Sequence, residues 1–389
     1  QHNNLPDDAE HVGSAYKHQK RLTDWKDDYP IFARVHSKAL QKTVERYYDA
    51  LDALSELKNN GHDVGQLKWK VRGELRSGKY SQSGFDVEHN TGRDDRVQVW
   101  LSGIGTFTIR YHREIPDNAD IKEVVLKKEK TGEWYCSLIV DPPEDFGSGK
   151  PDLDDSDVVR DLDAVGIDVG ILTYAHDTSG NQFESLDLSD ERRRLEREDR
   201  ALSRKEHGSK NWKKQRRKVA EAHANIKQKR EDFLDKLSTW YTRRFDVVCV
   251  EDLDIPGMVK APENAREKAS AAWGTFKEKL LYKADVYGCH VMEVEPEGTT
   301  KKCANCGVST GKPLWVREHS CPSCGFRTDR DLNAAYNILS RGLSELGVGH
   351  SEGTPVETAL PTGTRVPAKR VVEAGSPGLT ERTASAVSE

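Results

Sequence analysis

The chain has 389 residues, enough for two or three domains with a buried core. Lysine and arginine total 60 against 65 aspartates and glutamates, so the net charge is −5 and any contact with phosphates must come from local basic clusters. No apolar run of about eighteen residues occurs, which argues against a membrane-spanning helix.

The start, QHNNLPDDAE, is polar and acidic, unlike a signal peptide. It lacks an initiator Met and reads as a fragment or a trimmed product. Acidic residues are spread widely, which suits a heavily hydrated surface. Of seven cysteines, four fall in a paired motif; Cys136, Cys249 and Cys289 are single and lie among apolar residues. That pattern suits a reducing cytoplasm and one metal site rather than a disulfide framework.

Residues 14–57 read as helical. Ser37 is the expected cap of a helix whose apolar positions are Leu40, Val44, Tyr48, Leu51 and Leu54. Between 80 and 140 the period falls to two. Val97, Val99 and Leu101 alternate, then Phe107, Ile109 and Tyr111, then Trp134, Cys136, Leu138 and Val140, with a turn at 130–133. An antiparallel module closed into a small barrel is predicted.

Residues 142–157, PPEDFGSGKPDLDDSD, read as a linker. AVGIDVGILTYAHD then reads as a buried strand running into a hairpin, and 188–244 as two long helices broken at Gly208-Ser209. Strands are expected at 245–253 and around 290–294, and helices at 262–286 and 332–346. Beyond 347 the chain is rich in Gly, Pro, Ser, Thr and Glu and reads as disordered.

Three carboxylates stand out. Asp168 lies in Gly166-Ile167-Asp168-Val169-Gly170, where a charge in an apolar strand is costly unless paired or bound to metal. The flanking glycines are expected to admit a bulky partner such as a phosphate backbone. Glu251 ends the apolar run Val247-Val248-Cys249-Val250, and Asp331 sits at the mouth of the last helix. Carboxylates from separated segments can converge on two Mg²⁺ ions about 4 Å apart, an arrangement that cleaves phosphodiesters. The plain alternatives are a turn residue for Asp168, a surface pair with an Arg for Glu251 and an N-cap for Asp331. Asp329 is read as a cap or a supporting group.

Cys303-Ala-Asn-Cys306 and Cys321-Pro-Ser-Cys324 are two CxxC pairs with 14 residues between them. Four thiolates at this spacing suit a closed, structural Zn²⁺ site. Gly307 and Gly325 each follow a pair, freeing the turn. The knuckles would also offer Lys301, Lys302, Lys312 and Arg317 to nucleic acid. From 191 to 230 there are 16 Lys and Arg against 6 Asp and Glu. Arg204, Lys205, Lys210, Lys213, Lys214, Arg216, Arg217 and Lys218 are the candidates to lie along a phosphate backbone. The alternative is a merely solvated charged face. Trp212 is read as packing the corner between the helices.

GIDVG, VVCVEDL, CANCG…CPSCGF and DRDLNAAYNIL resemble the RuvC and zinc-ribbon blocks of the TnpB family, the OrfB-type accessory "transposases" of small insertion sequences. GSKNWKKQRRKVA, AAWGTFKEKLLYKADVYG and YSQSGF are similar to further blocks, and the phrasing resembles haloarchaeal members. The resemblance runs from about residue 20 to 340. It implies an RNA-guided DNA endonuclease with an α+β multidomain fold: a helical segment (1–65) and a wedge-like β-barrel (66–141), a linker (142–160), and a ribonuclease H-like RuvC nuclease (161–296) with its basic hairpin. A zinc ribbon (297–328), the last RuvC helix (329–346) and a disordered tail (347–389) would follow. It further implies Asp168, Glu251 and Asp331 as the Mg²⁺-binding catalytic residues, the four cysteines as zinc ligands, and guide RNA and target DNA as partners. Two departures are expected: a missing first strand, and Gly298-Thr299-Thr300-Lys301 where many members carry Tyr-Thr-Ser-Gln. A guide-dependent binder without cleavage and a strand-joining transposase are the competing readings.

Overall fold

The computed structural model describes residues 14–67, 76–88, 96–110, 115, 119–141, 149–153, 161–255, 271–311, 313, 315–346 and 365–366. The architecture is mixed α+β in two compact units, Gln1–Glu144 with Arg216–Glu221, and Asp145–Gln215 with Ala222–Glu389.

The first unit opens with helices α1 (Ala15–Asp28), α2 (Pro30–Ala33) and α3 (Ser37–Asn59). Pro30, which has no backbone N–H to donate, separates the first two. The cap expected at Ser37 falls one residue earlier. His36 Nδ1 accepts the Lys38 N–H at 3.3 Å, while the Ser37 hydroxyl accepts Lys26 Nζ at 2.6 Å. An imidazole nitrogen satisfies the orphan donor as an oxygen would. Val44 is buried and Leu40, Tyr48, Leu51 and Leu54 are half-buried, as the apolar spacing requires.

Six strands follow: β1 (Ser77–Ser81), β2 (Phe85–Glu88), β3 (Arg96–Leu101), β4 (Gly105–Arg110), β5 (Asp120–Lys128) and β6 (Trp134–Asp141). The expected alternations at 97–101, 107–109 and 134–140 fall on β3, β4 and β6; Tyr111 lies outside the described residues. The expected barrel is not found closed among the described residues. Among the described residues the strands form two three-stranded antiparallel sheets, β1-β5-β6 and β2-β3-β4. Val97, Val99 and Leu101 of β3 share one core with Tyr80 of β1 and Val124 of β5. Two sheets that bury their apolar faces against each other need no closure to exclude water.

Of the expected linker, 142–148 and 154–160 lie outside the described residues. The piece between is anchored: Lys150 Nζ pairs with Asp285 Oδ1 at 2.7 Å, and His290 Nε2 lies 2.8 Å from the Pro151 carbonyl.

The second unit is built on β7 (Ala164–Val169), β8 (Thr173–Asp177), β9 (Gln182–Glu184), β10 (Val247–Glu251) and β11 (His290–Val294), with a hairpin of β12 (Glu318–Ser320) and β13 (Arg327–Asp329), and a short β14 (Arg365–Val366). The main sheet runs β11-β10-β7-β8-β9-β14. β7, β8 and β9 are antiparallel neighbours; β10 is parallel to β7 and β11 parallel to β10. The helices are α4 (Ser189–Ser203), α5 (Lys210–Arg244, of which Arg216–Glu221 falls in the first unit), α6 (Trp273–Tyr287) and α7 (Arg330–Glu345). Ser209 caps α5 by accepting the Trp212 N–H at 3.1 Å. The Trp212 ring lies 4.4 Å from that of His207, so it packs at the corner between the helices. Of the helix expected at 262–286, residues 262–270 lie outside the described residues.

Alternation along the strands gives the sheet two apolar faces. Val165, Ile167, Val248 and Val250 pack with Phe233, Leu237 and Tyr241 of α5 and Phe276 and Leu280 of α6. Val247, Cys249 and Val294 pack with Ile338 of α7. The reading of Gly166 and Gly170 as openings for a phosphate backbone is corrected. A Cβ on Gly166 would lie 2.3 Å from the Ala335 carbonyl oxygen of α7 and 2.8 Å from Leu339 Cβ; one on Gly170 would lie 2.8 Å from the Thr173 oxygen across the β7–β8 turn. The chain itself fills both spaces. The disordered reading beyond 347 falls almost wholly outside the described residues, except that Arg365–Val366 adds a parallel strand beside β9. Among the described residues no helix is long and apolar enough to cross a membrane.

Candidate metal centres

The sheet brings the sequence-predicted carboxylates to one end of two neighbouring strands. Val250 pairs with Ile167 in the parallel register of β10 and β7, so Glu251 and Asp168 occupy the next position on each. Side chains at matched positions of adjacent strands project to the same face. Asp331 is the second residue of α7, the helix packed against β7 at Gly166. Asp168 is half-buried. Burial, then the Asp331 and Glu251 carboxylates, push its acid well above the usual carboxylate range; the Arg317 guanidinium opposes them. Burial also raises Glu251, against the Thr299 hydroxyl, which donates to Glu251 Oε1 at 2.6 Å, and the charge of Arg341.

Asp168 lies within a strand rather than a turn, and the hydrogen-bond partner of Glu251 is a threonine. The cap of α7 is Asp329, whose Oδ1 accepts the N–H groups of Asp331 at 2.8 Å and Leu332 at 3.4 Å. Asp331 is thereby free of capping, and Arg317 ion-pairs with its Oδ2. Arg317, read from the sequence as a contact for nucleic acid, is half-exposed and reaches Asp331. His176 joins them, with Nε2 3.7 Å from Asp331 Oδ2 and Nδ1 3.8 Å from Asp329 Oδ1. Burial lowers its pKa, while Asp331 and Asp329 pull it up. One guanidinium is thus set against several crowded carboxylates. Hard oxygen donors short of positive charge are the donor set that a divalent cation such as Mg²⁺ requires.

The four cysteine sulfurs gather separately. Cys303 Sγ lies 3.7 Å from Cys324 Sγ, and Cys306 Sγ lies 3.5 Å from Cys321 Sγ. Four thiolates about 2.3 Å from one zinc would be spaced by about 3.8 Å, so the group fits a tetrahedral ion. The two knuckles repeat one pattern. Gly307 and Gly325 take positive φ of 72° and 77°, and donate to the carbonyls of Cys303 at 2.8 Å and Cys321 at 3.1 Å. Backbone N–H groups of residues 305 and 306 approach Cys303 sulfur, as those of 323 and 324 approach Cys321 sulfur. Burial pushes the Cys303 thiol up to about 12, while the Asn305 side chain and the Phe326 N–H draw Cys324 down to about 6.

The knuckles are docked on α7 by residues whose role the sequence reading missed. Asn333, fully buried, donates to the Lys302 carbonyl at 2.8 Å and accepts the Ala304 N–H at 3.0 Å. Asn337, one turn on, donates to the carbonyls of Thr299 at 2.7 Å and Lys302 at 2.8 Å. The i, i+4 spacing of these asparagines was the available signal. Thr299 and His176 carried none, because their positions depend on strand register and on the 295–302 turn.

The basic candidates are all exposed: Arg204, Lys205, Lys210, Lys213, Lys214, Arg216, Arg217 and Lys218 around the start of α5, and Lys301 and Lys302 before the first knuckle. Gln215 among them and Val219 just after Lys218 are buried. Arg217 Nε donates to Glu221 at 3.1 Å and Arg204 Nε to the Arg200 carbonyl at 3.1 Å. Lys312 lies outside the described residues.

Two family models match parts of the chain: one described as "Probable transposase" (OrfB_IS605) over residues 147–261, and one described as "Cas12f1-like, TNB domain" over residues 273–338. A Streptomyces pristinaespiralis protein named "Putative RNA-guided DNA endonuclease" is 33% identical over 84% of this chain and 77% of its own length. The Escherichia coli K12 protein named "Putative RNA-guided DNA endonuclease InsQ" is 27% identical over 75% of this chain and 72% of its own. A protein of Sulfoacidibacillus thermotolerans named "CRISPR-associated endodeoxyribonuclease Cas12f1" is 22% identical over 57% of this chain and 53% of its own. The first of these likenesses spans both units of the fold and both cysteine pairs, and with it the chain belongs to the TnpB family.

Proposed function

We propose that the protein is a transposon-encoded, RNA-guided DNA endonuclease that hydrolyses phosphodiesters at Asp168, Glu251 and Asp331. The observation that carries this reading is the placing of Asp168 and Glu251 at matched positions of β7 and β10, where the Asp331 and Glu251 charges raise Asp168 and Arg317 opposes them; the ligand atoms within 4.8 Å of one another are those of His176, Asp329 and Asp331. The sheet order, three antiparallel strands with two parallel ones beside the first, supports the ribonuclease H-like expectation. The names of the TnpB-family relatives support the substrate and the guide.

Asp168, Glu251 and Asp331 would hold Mg²⁺, which would supply positive charge to offset the charge gathering on the phosphate during cleavage. The chain's own residues prepare for that. Thr299 fixes one oxygen of Glu251 by its 2.6 Å hydrogen bond. Asp329 caps α7 and so leaves the Asp331 carboxylate to face the site. Cys303, Cys306, Cys321 and Cys324 would hold Zn²⁺, which would tie the knuckles into one piece, and Asn333 and Asn337 fix them to the helix bearing Asp331. Base pairing to the guide RNA selects the target DNA, and the exposed basic residues around the start of α5, with Lys301 and Lys302, take backbone phosphates. Residues 1–141 act as the guide- and target-gripping half, with the zinc ribbon at 297–328 as a second contact.

The test is cleavage of plasmid DNA bearing the complement of the guide, by the full chain purified with its RNA and given Mg²⁺. The wild type cuts and Asp168→Ala does not. Equal cutting by both removes the mechanism, and binding without cutting by the wild type leaves a guide-dependent binder.

A further inference from the structure

The β7–β8 hairpin sets His176 directly across from Asp168. Residues opposed in an antiparallel ladder project to one face, so the imidazole is delivered to the carboxylates by backbone register alone. Its side chain keeps 8% exposure. It makes no hydrogen bond among the described residues; its contacts at Asp331 and Asp329 are both beyond hydrogen-bond reach. Neither ring nitrogen is sealed from solvent, so both stay open to an incoming ion, and His176, Asp329 and Asp331 bring ligand atoms within 4.8 Å of one another.

The separations say what fits. Two donors bound about 2.1 Å from a shared ion stand about 3–4 Å apart, and His176 Nε2 is 3.7 Å from Asp331 Oδ2. Nδ1 faces Asp329, which the α7 cap holds in place. A carboxylate behind one ring nitrogen and a cation before the other is the arrangement that orients metal-bound histidines.

We propose that His176 Nε2 is a nitrogen ligand of the divalent cation held by Asp168 and Asp331, with Asp329 as the positioning residue behind the ring. The inference rests on the carboxylate centre proposed above and specifies its coordination. A nitrogen donor shifts preference from Mg²⁺ toward Mn²⁺ and Co²⁺, whereas an all-oxygen site favours the harder ions. His176 is therefore a determinant of which metal the protein holds most tightly.

The experiment uses the full chain loaded with one equivalent of zinc, stripped of other divalent ions and titrated with Mn²⁺. Pulsed electron paramagnetic resonance of the bound Mn²⁺ is expected to show ¹⁴N modulation from a coordinated imidazole, absent in His176→Ala and His176→Gln. Calorimetry is expected to show Mn²⁺ affinity falling about tenfold or more in both variants, with a smaller loss for Mg²⁺. Thermal melting of each variant establishes that it is folded. Bound Mn²⁺ without nitrogen modulation in the wild type, lost in Asp168→Asn, overturns the histidine ligand and leaves the carboxylate centre standing. Nitrogen modulation that persists in both His176 variants overturns it as well. No Mn²⁺ binding beyond the zinc site overturns the carboxylate centre together with it.

Discussion

Replacing Gly166 by alanine tests whether the space beside Asp168 belongs to the protein or to a ligand. The new Cβ would lie 2.3 Å from the Ala335 oxygen and 2.8 Å from the Leu339 backbone nitrogen and Cβ, against an ordinary contact of 3.4 Å or more. Helix α7 must therefore retreat from β7 by about 1 Å. Overpacking of this kind costs about 1–3 kcal/mol. Gly166 has no positive φ, so alanine adds no backbone strain, and its smaller entropy loss on folding returns about 0.4–1 kcal/mol. A net loss of about 1–2 kcal/mol lowers Tm by roughly 2–8 °C for a unit of this size. Ala335 lies one turn after Asp331, so the same retreat carries the Asp331 carboxylate away from Asp168, and divalent-cation affinity falls with the melting point. Calorimetric melting with and without Mg²⁺ reads both. An unchanged or raised Tm, with unchanged Mg²⁺ stabilisation, refutes the close packing of α7 on β7.

The crowded acids give a prediction of opposite sign. Asp168 is raised above its ordinary 3.8 in the folded state, so the native state binds more protons than the unfolded one. The penalty is absent below that value, grows as pH rises toward the raised value, and stands in full above it. Asp168→Asn is accordingly expected to raise the Tm of the cation-free protein near neutral pH but not in acid, while abolishing stabilisation by Mg²⁺; a lower Tm at neutral pH goes against the burial argument. Arg317→Ala removes the guanidinium that shares Asp331 Oδ2, so Mg²⁺ should bind several-fold more tightly by calorimetry, and weaker binding would show that Arg317 supports the ion instead. Asn333→Ala orphans the Ala304 N–H, though Lys302 keeps Asn337 as a donor. The expected cost is about 2–3 kcal/mol in urea unfolding, with faster zinc loss to a chelator; equal zinc retention argues that the knuckles do not depend on α7.

What the sequence discloses is what local spacing encodes. The cysteine pairs name their own chemistry, and Ser209 announces the start of α5 by its side chain alone. Glu251 stands out because it ends an unbroken apolar run. Register and packing are not local. Nothing within a few residues of His176 says that it faces Asp168, since that follows from the tight turn after Gly170. The glycines around Asp168 look alike in sequence whether a phosphate, a helix or a turn fills the space; here α7 and the β7–β8 turn fill it. Barrel closure is not legible for a related reason, because alternation of period two specifies one buried face but not whether two sheets close or stack. The pairing of Arg317 with Asp331 is not legible because the two belong to different elements.

The central claim is that Asp168, Glu251 and Asp331 hold a divalent cation together. Anomalous scattering from crystals soaked in Mn²⁺ tests it most directly. The account requires an anomalous peak within about 2.0–2.4 Å of an oxygen from each of the three carboxylates, and a peak elsewhere, or none with the zinc site filled, contradicts it.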